Sequence, residues 1–176
     1  MSAYAAQLDL LHRQAGGTTP VASASGVVLG SLNVVPDSPD HPLARFGLGV
    51  GHAVPSTPDA REEFATGLLG LHRSLLRQGI AHAMRHLANR SSTGAPLLDR
   101  QLVQAALADV ALEIRETAAL PVADPAARWR AHQALVAAGR LLLSLLGASS
   151  FLVSGPGGDL HLAEVTGNVY LREEAA

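Results

Sequence analysis

The stretch from Asp59 to Arg90 limits the fold of this chain more than any other. Its apolar residues Phe64, Leu68, Leu71, Leu75, Ile80, Met84 and Leu87 recur close to the 3.6-residue period of an α-helix. Asp59 offers an N-cap, and Glu62 and Glu63 fall in the first turn, where carboxylates complement the helix dipole. A helix this long with one apolar side must lay that side against other elements.

The residues that follow supply those elements. A turn at Ser91-Ser92-Thr93-Gly94-Ala95-Pro96 leads to a second helix over Leu98–Ala119, with Leu102, Val103, Ala106, Leu107, Val110 and Ile114 on one face. Pro121 ends it. Asp124-Pro125 pairs an N-cap with proline at the first helical position, so a third helix runs from there to Gly147. After the Gly155–Gly158 break, Asp159 can cap a last helix that ends near Tyr170. Three long helices and a shorter one, joined by short connections, predict a mainly α protein whose residues 59–176 form an antiparallel four-helix bundle.

Residues 1–58 read differently. Residues 3–14 predict a short helix stopped by Gly16-Gly17 and Pro20. Val27-Val28-Leu29 and Leu32-Asn33-Val34-Val35 predict two short strands or an extended excursion, and the prolines from Pro36 to Pro58 forbid long regular structure. This N-terminal segment is therefore expected to be irregular or β-containing.

Composition narrows the function classes. The net charge is −2, which argues against a general nucleic-acid binder. The absence of cysteine excludes disulfides, thiolate nucleophiles and thiolate metal sites. Ala134–Val153 is apolar enough to suggest a membrane span, but Arg140 lies inside it, and a central arginine costs about 2.5–3.5 kcal/mol there. A buried bundle helix is the expectation, in a cytoplasmic protein with no membrane partner.

Three further patterns invite a site. His82 and His86 share a helix face at i, i+4, yet no acidic ligand lies between them, so they read as polar-face residues. Gly47, Gly49 and Gly51 echo a phosphate loop, but Pro55 follows where a helix is needed. Gly155–Gly158 reads as a turn between helices. Trp129 and Phe151 are expected as core anchors.

One junction carries a family resemblance. From Arg90 to Asp109, nine of twenty positions (Arg90, Gly94, Pro96, Gln101, Val103, Gln104, Leu107, Ala108 and Asp109) are in register with a helix–turn–helix pattern of the acyl-CoA dehydrogenases. A weaker match places Gly147-Ala148-Ser149-Ser150-Phe151 at that family's glycine-rich turn and Asp159-Leu160-His161-Leu162 at the start of its final helix. The region covered, about 60–171, resembles the family's C-terminal helical domain alone. Residues 1–58 are too short for the two domains that precede it in the family.

The resemblance implies a truncated subunit that joins a longer acyl-CoA dehydrogenase-like partner, in a homo- or hetero-oligomer, to oxidise an acyl thioester with flavin adenine dinucleotide (FAD). Arg90 then matches the arginine that reaches the cofactor's pyrophosphate across a subunit interface, a task that suits a bidentate guanidinium. Thr93, where the family has Phe, and Gly94, Ser144 and Gly147 fall at the other cofactor positions. The catalytic carboxylate would be Glu164, in an echo of the family's Glu-Gly-Thr, or Glu63, near the base some members carry in the first long helix. Each residue has a plain alternative: Arg90 as a helix-end cation, Glu63 as a first-turn dipole partner, Glu164 as a solvated helix residue. The functional alternatives are an assembly module that has lost flavin, and a non-redox enzyme acting on an acyl or natural-product intermediate. Subunit contacts are expected around Leu141–Leu146.

Overall fold

A computed structural model describes residues 3–35, 41–151 and 155–172, and at Phe151 the backbone alone. The chain is mainly helical with a small two-stranded sheet. Helix α1 spans Ala3–Gly16, strands β1 and β2 span Val27–Ser31 and Leu48–His52, and α2 spans Pro58–Ala88. Two-residue strands β3 (Ser91–Ser92) and β4 (Ala95–Pro96) lead to α3 (Gln101–Ala119), α4 (Pro125–Leu146) and α5 (Pro156–Tyr170).

Local chemistry explains the helix starts. The Thr57 hydroxyl accepts a hydrogen bond from the Ala60 N–H, with Pro58 first in α2. At α4 the Asp124 carboxylate accepts from the Ala127 N–H at 2.6 Å, followed by Pro125. Leu97–Asp99 forms a single 3-10 turn, so α3 starts at Gln101, three residues later than the sequence predicts. Leu102 then projects outward at 85% exposure, while Leu107, Val110, Ile114 and Thr117 face the core.

Helix α2 is the hub, packed against α1, α3, α4 and α5. That position explains why its buried surface is wider than the expected stripe. Leu69, Leu76, Gly79 and Ala83 are buried as well as Phe64, Leu68, Leu71, Leu75 and Leu87, whereas Met84 turns outward. Directions follow from paired positions. Arg73 donates to the Thr117 carbonyl while Leu97 N–H donates to the Arg90 carbonyl, so α3 runs back along α2. Arg128 meets Glu62, His72 faces His132, and Gly79 abuts Leu142, so α4 runs with α2. His132 abuts Gly167 and Arg140 meets Glu164, so α5 opposes α4.

The 26-residue stretch Pro125–Ser150 is long and apolar enough to cross a membrane by length and composition. Its apolar side is spent on neighbours: Leu135, Leu142 and Leu146 are fully buried in the core that α4 shares with α2, α3 and α5. Leu142 and Leu146 are thus core residues and not free for the subunit contact expected of them.

The second expected strand is displaced. Leu32–Val35 forms a turn after β1, and the antiparallel partner of β1 is Leu48–His52, with Leu29 opposite Val50. Of the glycines that echoed a phosphate loop, Gly49 and Gly51 are therefore strand, and Gly47 is the left-handed turn residue just before it, with φ 81°. A Cβ at Gly49 would run into the Val35 backbone, and one at Gly51 would sit 2.9 Å from a Val35 methyl. On the side of β1 away from β2, Leu29 is tied by side chains: its N–H donates to the Tyr170 hydroxyl at 2.9 Å, and its carbonyl accepts from His12 Nε2 at 2.7 Å. One hydrophobic core joins Tyr4, Leu8 and Leu29 to Phe64, Leu69, Leu135 and Leu162.

Candidate functional sites at two ends of the helices

The Arg90 turn folds as a tight hairpin. Thr93 and Gly94 both take positive φ, 53° and 84°, which is the signature of a two-residue type I′ turn. Arg90 stands exposed beside it. A contact of 3.3 Å joins its guanidinium to His86 Nε2, and it enters no ion pair among the described residues. Because α2 and α4 run in the same direction, the hairpin shares one end of the molecule with Gly147 and with Ser144, one turn earlier. Both are exposed, Gly147 with φ 58° and Ser144 with its hydroxyl donating to the Leu141 carbonyl. Arg90, Thr93, Gly94, Ser144 and Gly147 are thus gathered at one end.

The candidate carboxylates are not. Glu63 is exposed in the second turn of α2, where Asp59 is the first-turn carboxylate, 27 residues before Arg90 and so about 40 Å away along the helix. Glu164 is half-buried on α5 and held by Arg140 at 2.6 Å. His82 and His86 stack with ring centroids 6.2 Å apart, and among the described residues no group of three or more His, Asp or Glu could hold a metal ion.

Between the helices lies a polar layer that the sequence patterns did not single out. His72 and His132 are almost fully buried, with ring centroids 5.7 Å apart, and Trp129 lies 5.4 Å from His132. Burial lowers the His72 pKa to about 3, reinforced by His132 and Arg73 nearby. Burial likewise lowers the pKa of His132, against a 3.2 Å contact from its Nε2 to the Asn168 side-chain oxygen, and its Nδ1 has no hydrogen-bond partner. His12 is fixed as the neutral Nε2–H tautomer, since its Nδ1 accepts from Val21 N–H while its Nε2 donates to Leu29. Deep in the core, the Tyr4 hydroxyl bonds Thr166, and burial raises its pKa.

The end opposite the hairpin holds a cleft of about 1010 Å³, bounded by the N-terminal turns of α2 and α4, the C-terminal turn of α5 and the Ser23–Ser25 loop. Arg61, Arg128 and Arg172 line it, with Glu62 as the one carboxylate among the described residues of its wall. Arg128 is anchored: its Nη1 donates to Glu62 at 3.3 Å and to the Val122 and Ala123 carbonyls at 3.1 and 3.2 Å. The Arg61 Nε is shielded from water and makes no hydrogen bond. A signal for this cleft did exist in the sequence: Pro58-Asp-Ala-Arg61 and Pro125-Ala-Ala-Arg128 place arginine at the same step after each helix-opening proline.

Comparison with family models, with curated proteins and with solved structures finds no match to this chain.

Proposed function

We propose that α2–α5 form an antiparallel four-helix bundle of the acyl-CoA dehydrogenase C-terminal kind, and that the chain works as one subunit of an FAD-dependent acyl thioester dehydrogenase. The observation that carries this reading is the exposed Arg90 at the base of the hairpin. It is ready to meet a phosphate group supplied in trans, and a separation of about 40 Å from Glu63 along α2 keeps the two from serving one cofactor within a single chain. The longer partner would bring the flavin ring and the acyl thioester. Exposed Leu102 and Leu112 on the outer side of α3 give such a partner apolar surface to cover.

The test is an absorbance spectrum of the chain alone and of the chain purified with its longer partner. Flavin bands are expected only in the complex. Arg90→Ala should lower cofactor retention about ten- to a hundredfold while the helices stay folded, since a charge-assisted phosphate contact is worth about 1.5–3 kcal/mol. Equal flavin content in wild-type and Arg90→Ala complexes would refute the reading. A second reading, an assembly module without catalysis, is favoured by the carboxylates: Glu164 is occupied by Arg140, and Glu63 points to solvent. In that case the complex forms without flavin.

A further inference from the structure

We infer that the cleft between the N-terminal turns of α2 and α4 is a binding site for a small organic anion, held through a carboxylate or phosphate group. This goes beyond the shared-flavin reading, because it concerns the opposite end of the molecule and needs no partner chain.

The argument begins with helix electrostatics. Arg61 and Arg128 are each the fourth residue of a helix, within the turn where the backbone dipole is positive and a cation is disfavoured. Both guanidinium groups line the same cleft, and Arg172 at the end of α5 adds a third. Against these three cations the described residues of the cleft wall offer one carboxylate, Glu62, and Arg128 already holds it. Among the described lining residues the wall is left with an excess of two positive charges.

Hydrogen bonding points the same way. Arg128 has spent Nη1 on Glu62 and two carbonyls, which fixes it as a part of the wall. Arg61 has a buried Nε with no acceptor, and among the described residues its guanidinium enters no ion pair, so its outer nitrogens are not committed to a protein carboxylate. Among the described residues Arg172 has no carboxylate partner either. Two guanidinium groups with no ion pair among the described residues can take an oxyanion in the bidentate geometry they favour. The rest of the space fits an organic body: Val27, Ala65 and Val169 line it with apolar surface, and a cleft of about 1010 Å³ far exceeds what an inorganic ion fills.

The experiment is a titration of the full chain with two probes, inorganic pyrophosphate and glutarate, followed by amide NMR shifts and by calorimetry. We expect at least one probe to give saturable shifts confined to the amides of Ser23–Ser25, Arg61–Glu62 and Asn168–Arg172. Preference for pyrophosphate marks a phosphate ligand, and preference for glutarate a carboxylate. The double variant Arg61→Gln/Arg172→Gln should weaken the preferred probe by about a hundredfold, tenfold for each lost charge-assisted contact. Arg85→Gln, about 36 Å along α2 from Arg61, should bind as wild type does. No saturable shift at these amides in the wild-type chain with either probe would overturn the proposal, and that result needs no variant to fold. Wild-type affinity in the double variant, or an equal loss in Arg85→Gln, would overturn it too.

Discussion

At Gly167 an α-helix gives up its side chain to a ring from another helix. A Cβ built there would come within 2.1 Å of Cε1 of the His132 imidazole, which is fully buried and cannot swing to solvent. Gly167→Ala is therefore expected to destabilise by about 1–3 kcal/mol through overpacking. The same change at Gly70 should do the reverse. Nothing lies within 4 Å of a Cβ there, and alanine in a helix interior gains about 0.5–1 kcal/mol over glycine. Urea denaturation of the two variants checks the pair, and equal midpoints would refute the packing argument. Sequence alone could not foresee this opposition: what distinguishes the two glycines is the neighbour opposite, and His132 lies 35 residues from Gly167.

At the scale of elements, the helices were readable because capping and periodicity are local. Asp124-Pro125 marks the start of α4, whereas the cap expected for α2 at Asp59 lies two residues past the observed cap Thr57; the predicted ends fall within two residues of the observed Ala88 and Leu146. Strand pairing was not local. Nothing near Leu32–Val35 reveals that β1 prefers Leu48–His52, because the reason is Val35 folding over Gly49 and Gly51. The candidate sites divide in the same way. The hairpin end was legible as a motif, whereas the arginine cleft exists only once α2, α4 and α5 converge. Within the hairpin, Thr93 holds φ 53°, a conformation that suits asparagine or glycine better than a β-branched residue. Thr93→Asn should therefore raise stability by about 1 kcal/mol while keeping an acceptor for Arg100, whose guanidinium bonds the Thr93 hydroxyl. A lower urea midpoint in this variant would show that the threonine contact outweighs the backbone strain.

The whole molecule carries a pH dependence written by its buried histidines. Burial lowers the pKa of His12, His72 and His132, with His72 reaching about 3. In the unfolded chain each titrates near the ordinary value of about 6.5. Above that value neither state binds a proton and the histidines have no effect on stability. Below it the unfolded chain takes up protons that the folded chain refuses, so stability must fall as pH falls. The slope is about 1.4 kcal/mol per pH unit for each histidine held neutral. For His72 the loss continues down to pH about 3, where the folded state can also accept the proton. Asp159 works in the opposite sense. Its carboxyl is pushed up by burial, so the folded state takes its proton first and gains stability at the acid end of the range. One such group does not offset three histidines between pH 6.5 and 5. Unfolding free energy from urea titrations should therefore hold steady from pH 8 to 7 and decline below about 6.5. In His72→Leu the decline should be shallower by about 1.4 kcal/mol per pH unit, since a leucine in that place has no proton to refuse. Stability that stays level from pH 7.5 to 5, or an unchanged slope in His72→Leu, would show that the buried imidazoles gain water or a counter-charge before they protonate.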